Sequence, residues 1–200
     1  MILREILKDH KDLIPTPSQT VGPYFHLGLT DKRSIGEIAG KDVNGERLTM
    51  ICRAFDGDEI PVPDAMIELW QADADGKYNH PEDSWNESQK LAFRGFGRMP
   101  TGADGSCIFQ TIKPGRVPGL NGQLQAPHIN VLVFARGLLK HLPTRIYFDG
   151  DPANVTDAVL ALVPEERRGT LMAQPDPTTP GTWRFDIHLC GERETVFFDI

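Results

Sequence analysis

Two hundred residues, 40% of them hydrophobic and 24% charged, suffice for one substantial apolar core and have the make-up of an ordinary globular chain. A net charge of −7 with scattered lysines and arginines provides no basic field for a phosphate backbone, which argues against nucleic-acid binding. No segment approaches the roughly 20 apolar residues of a membrane span, and the charged N-terminus lacks the apolar run of a secretion signal, so the chain reads as cytoplasmic.

In chain order, Ile2, Leu3, Ile6 and Leu7 stand at helical spacing and predict a short N-terminal helix. Residues 16–28, "TPSQTVGPYFHLG", combine Pro17, Gly22 and Pro23 with Tyr24 and His26 and read as a rigid projecting loop. Strand-length apolar or alternating runs then follow at 47–55, 65–70, 106–112, 128–136, 144–148, 182–189 and 194–198. Between them lie Gly- and Pro-rich turns, among them "DADG" at 73–76. That stretch lacks the later glutamate of a calcium loop and reads as a tight turn. Residues 80–92 are the most polar and predict a long excursion. Residues 151–173 predict a second helical region, with Pro152 in a first turn, Asp157 as a cap and Pro164 limiting its length.

The predicted fold is all-β, a sandwich of mainly antiparallel strands with short peripheral helices. It forms a single domain over 1–200, with 1–30 as an N-terminal arm whose loop projects toward a site or a partner. Cys52, Cys107 and Cys190 are odd in number and widely spaced, which signals neither a disulfide framework nor a zinc site and predicts buried thiols on strands.

No G-x-S-x-G, phosphate-binding glycine loop or H-E-x-x-H occurs, so nucleophilic hydrolysis and nucleotide binding have no support. His128 and Asn130, two apart on a strand, share one face. An H-x-H pair there would offer two imidazoles to a metal, but an amide is a poor substitute, and a hydrogen-bonded structural histidine is the competing reading. Tyr78, just past the Asp-Gly turn, is either a phenolate suited to ferric iron or an ordinary interfacial tyrosine. Arg136 is either a solvated strand end or a planar fork for a carboxylate.

Taken as an ordered set, "TPSQTVGPYFHLGL", "IELWQADADGKY", "APHINVLVFARG" and "GERETVFFDI" resemble the intradiol ring-cleavage dioxygenases, in the branch whose enzymes pair alpha and beta chains. The likeness, to the alpha chain, runs from about residue 14 to the C-terminus and is weak over 30–45 and 80–92. It implies a β-sandwich enzyme of aromatic catabolism that cleaves protocatechuate with O2 to 3-carboxy-cis,cis-muconate. It also implies non-haem Fe(III) bound by two tyrosines and two histidines of the partner beta chain rather than by this chain.

In this sequence the resemblance sets Tyr78, Val117, His128 and Asn130 at the four ligand positions, and Gln125 at that of an arginine that assists the reaction. Val117 offers no donor and Asn130 a weak one, so no metal-binding or catalytic residue is expected here, and His128 and Tyr78 are expected to bond to each other or to water. What the resemblance leaves to this chain is substrate binding. Arg136 is expected near the substrate carboxylate, and Thr20, Gly22, Pro23 and Tyr24 are expected to line the pocket above the beta chain's iron. The alternatives are a self-sufficient homo-oligomeric dioxygenase acting on catechols and a non-catalytic β-sandwich binding module.

Overall fold

The alternation legible in the sequence becomes a folded sheet in a computed structural model of the chain, which describes residues 16–81, 92–119 and 122–199. The N-terminal helix expected within the first dozen residues, and most of the polar excursion at 80–92, lie outside the described residues. Eight strands are described: β1 (Arg47–Phe55), β2 (Met66–Gln71), β3 (Phe96–Pro100), β4 (Ser106–Ile112), β5 (His128–Phe134), β6 (Leu142–Phe148), β7 (Met172–Pro175) and β8 (Thr182–His188). They pair in the order β3-β2-β5-β6-β7-β8-β1-β4. Pairing is antiparallel except at β6–β7 and β8–β1, and the β6–β7 junction joins only two residue pairs.

That short junction lets the sheet double over into two four-stranded layers. The inward residues of both layers, including Met50, Ile67, Phe109, Val131, Phe148 and Phe185, form one buried cluster. The expected all-β sandwich is therefore present. Period-two burial explains it: Leu48, Met50, Cys52 and Ala54 on β1 point inward, as do Ile129, Val131 and Val133 on β5. A smaller cluster of Ala126, Tyr147, Leu160, Val163 and Leu171 lies on the other side of β6.

Several expectations need correction. Residues 23–29 form a helix, α1 (Pro23–Leu29), rather than a loop. Pro23 opens it, where the missing N–H costs nothing, and Gly22 precedes it in extended conformation. The helical region expected over 151–173 is present but ends at Leu171, where β7 begins, and is a string of turns: 3₁₀ turns at Pro152–Thr156, Leu160–Leu162 and Gly169–Leu171 and a short α2 (Glu165–Arg168). Asp151 caps the first turn, and Asp157 caps the chain further on by accepting the N–H groups of Val159 and Leu160 at 2.9 and 2.8 Å.

Residues 194–198 are not a strand. Their backbone bonds go to two different elements, Thr195 N–H to the His188 carbonyl and Phe198 N–H to that of Pro143, so no ladder forms. Strands β3 and β7 were not expected. Cys52 and Cys107 are buried as expected, whereas Cys190 is exposed.

The 73–77 segment is the tight turn expected. Asp73 Oδ1 accepts the N–H groups of Asp75 and Lys77, and Gly76 adopts φ +78°. A Cβ on Gly76 would lie 2.1 Å from the Arg116 carbonyl oxygen, whereas one on Gly150, at φ +74°, would meet nothing within 4 Å. Gly150→Ala should therefore cost only the left-handed backbone penalty, about 1–2 kcal/mol. Gly76→Ala should cost more, since the 116–117 backbone must move. Denaturant unfolding of the two variants checks the order, and equal losses would contradict the close approach.

Candidate functional site

The outer face of the β2–β5–β6 layer carries the chemistry. Because Ile129, Val131 and Val133 face the core, His128, Asn130 and Leu132 face outward, and the register continues the row across strands. Trp70 pairs with Asn130, Asn130 with Arg145, and His128 with Tyr147.

His128 is 3% exposed, and its ring lies 5.8 Å from that of Tyr147. Its Nδ1–H donates to the Ala126 carbonyl at 2.8 Å, which leaves the lone pair on Nε2. Burial, reinforced by the Arg145 guanidinium, pushes its pKa down to about 4, so the imidazole is neutral at physiological pH. Tyr147 is fully buried, and burial pushes its phenol up. Its hydroxyl donates to Asp157 Oδ1 at 3.2 Å, and Asp157 Oδ2 accepts the Ala126 N–H at 2.7 Å. This buried carboxylate thus ties the start of β5 to β6 and to the turns above.

The expected bond between His128 and Tyr78 does not form. Tyr78 instead accepts from Asn130 Nδ2 at 3.4 Å, with its ring 6.1 Å from that of Trp70. At this position a metal would require a lone pair, but the amide presents a donor. Val117 is buried and offers only its carbonyl, which accepts from the Gln125 N–H at 2.8 Å. Gln125 Oε1 in turn accepts from Arg145 Nη1 at 2.8 Å. A ferric ion does not fit this set: two donors, Tyr78 and His128, stand beside an amide donor, an apolar side chain and a guanidinium.

A second cluster lies at the far end of β5. Arg136 stands past the strand end, in the turn before Gly137, rather than closing the strand. Its Nη2 is 3.6 Å from Asp64 Oδ2, and both side chains are largely exposed. Thr20 Oγ1 accepts the Gly137 N–H at 2.7 Å and so pins the 16–22 segment to this turn. Arg136, Gly22, Val21, Phe25 and Asp64 then line one cavity of about 440 Å³. Phe25 anchors α1 by packing against Phe134, ring centroids 5.6 Å apart. Of the residues expected at the substrate, Thr20, Gly22 and Arg136 are therefore brought together, and Pro23 starts the helix beside them. Tyr24 is 83% exposed and does not line this cavity. Sequence reasoning missed Arg145, Tyr147 and Asp157 as one network, and the only local signal was the alternation of "TRIYF".

The depressed His128 pKa has a consequence for stability. The unfolded chain takes up a proton near pH 6.5, whereas the folded site resists it until about pH 4. The neutral buried imidazole therefore contributes stability above pH 6.5 that is lost as pH falls toward 4, in total about 3 kcal/mol. His128→Gln should flatten the fall in denaturation midpoint between pH 6.5 and 5. An unchanged slope would mean that the ring does not resist protonation.

With the geometry in place, comparison with known proteins identifies the lineage. The dioxygenase family model matches residues 20–191. The protocatechuate 3,4-dioxygenase alpha chain of Burkholderia cepacia is 44% identical over 92% of this chain and 97% of its own length. The beta chain from the same organism is 35% identical over 76% of this chain and 67% of its length. Among solved structures, the dioxygenase domain of a dioxygenase carbohydrate-binding protein fusion from Streptomyces sp. SirexAA-E superposes with a TM-score of 0.60 at 29% identity, covering 92% of this chain and all of that one. By fold, by motif order and by identity over nearly its whole length, the chain belongs to the intradiol dioxygenase family.

Proposed function

We propose that the chain is the alpha subunit of a protocatechuate 3,4-dioxygenase, with the Fe(III) of the family bound by a partner beta subunit. The reaction of the assembly is O2-dependent intradiol cleavage of protocatechuate to 3-carboxy-cis,cis-muconate. The iron supplies the ring-opening chemistry, and this chain supplies a wall of the substrate pocket.

The observation that carries this reading is one cavity at the end of β5 lined by Gly22 and Arg136, with Thr20 pinning the 16–22 segment to the Arg136 turn. The substrate is a benzoate, and a carboxylate taken out of water needs a cation or several donors. Arg136 offers both, since its only ion-pair partner among the described residues is Asp64 at 3.6 Å, a largely exposed contact of the kind worth at most about 1 kcal/mol. A charge-assisted pair of bonds to a carboxylate in a closed pocket is worth about 1.5–3 kcal/mol, enough to draw the guanidinium away from Asp64. Tyr24 and Leu27, 83% and 60% exposed on the neighbouring helix, are apolar surface for the beta subunit to cover. Closing the cavity in this way excludes water and fixes the ring relative to the metal.

In the assembled enzyme, Arg136→Ala should raise KM for protocatechuate by about tenfold or more, and change KM for catechol, which has no carboxylate, by much less. Steady-state kinetics on both substrates decides the matter. Equal effects on the two would rule out an ion pair to the substrate.

A further inference from the structure

A second cavity, of about 540 Å³, lies on the outer face of β2, β5 and β6, away from Arg136. Its apolar walls include Trp70, Phe96, Leu132 and Pro143, and Asn130 and Arg145 also line it. The sheet register places Phe96, Trp70, Asn130 and Arg145 in one row across four adjacent strands. With strands about 4.8 Å apart, the aromatic end of the row is about 10 Å from the cationic end at Cα level, and Asn130 stands between them.

The charges along this row are unequal. Glu68, which also lines the cavity, is bound by Arg98 at 2.7 Å. Arg145 donates through Nη1 to Gln125 and Tyr147, both uncharged, at 2.8 and 3.4 Å. Its Nε and Nη2 have no acceptor among the described residues, and no carboxylate there lies within ion-pair distance of it. Asp199, the remaining carboxylate at this cavity, is exposed and forms no ion pair with it. A half-buried guanidinium with an open edge matches a carboxylate in two parallel bonds, and the flanking aromatic wall matches a flat ring one strand spacing or more away.

From this we infer that the groove is a metal-independent binding site for a planar aromatic monocarboxylate, its carboxylate on the free edge of Arg145 and its ring against Trp70 and Phe96. Asn130, between the two ends, stands beside the bond that joins the ring to its carboxylate. The site does not depend on the role proposed for Arg136, and the two arginines serve different cavities.

The test is calorimetric titration of the full chain, in the assembly in which it purifies, with 4-hydroxybenzoate, which is an aromatic acid but not a catechol. Saturable binding is expected, weakened about tenfold or more in Arg145→Gln and less in Arg145→Lys, which keeps the charge and loses the fork. Trp70→Leu should also weaken it while leaving Arg145 in place, and Arg136→Ala should leave this site's affinity unchanged. The uncharged 4-hydroxybenzamide should not compete. Equal affinity in Arg145→Gln, competition by the amide, loss of the site in Arg136→Ala, or no saturable binding in the millimolar range because another chain covers the groove would each overturn the inference.

Discussion

The antiparallel register of β5 between β2 and β6 is the constraint on which the chemistry of this chain depends. It sends Ile129, Val131 and Val133 into the core. The intervening residues are thereby committed to the outer face, where His128 meets Tyr147, and Asn130 lies between Trp70 and Arg145. A slip of β5 by one residue would turn His128 and Asn130 into the sandwich and expose the isoleucine and valines. The same strand ends just before the turn that carries Arg136, so one element sets both the incomplete ligand set and the candidate carboxylate receptor.

Electrostatics at the two ends of β5 differ in kind. At the His128 end Asp157, Tyr147, Arg145 and Gln125 are joined in one hydrogen-bonded network that leaves one edge of the Arg145 guanidinium open. That network ties the turns after β6 to the sheet, and burial together with the Arg145 guanidinium keeps the imidazole neutral. At the Arg136 end the charge is exposed, loosely paired and flanked by apolar side chains, the state expected of a residue whose partner arrives with another molecule.

How much of this the sequence disclosed follows from how local each signal is. Alternation marked the strands at 47–55 and 106–112 residue for residue, and the neighbouring ones within a few positions. Strand β3 escaped because "FGRMP" carries a glycine and a proline and no alternation, and β7 because four residues follow directly on helical turns. Residues 194–198 have strand composition, but their hydrogen-bond partners belong to two separated elements, a property no window of sequence contains. His128 with Asn130, and Tyr78, stood out from the residues themselves, but Val117 and the grouping of the four as one ligand set were legible only through resemblance. Arg145 was missed altogether, because what makes it notable is its row across four strands and its lack of a carboxylate, both set by long-range pairing.

The central claim is that this chain belongs to an iron enzyme without itself completing the iron site. Iron analysis with optical spectroscopy on the chain purified alone, beside the same chain produced with its beta partner, tests it most directly. The account predicts stoichiometric ferric iron with a tyrosinate absorption band in the two-chain assembly and neither in the separate chain. A stoichiometric ferric tyrosinate centre in the chain alone would contradict it.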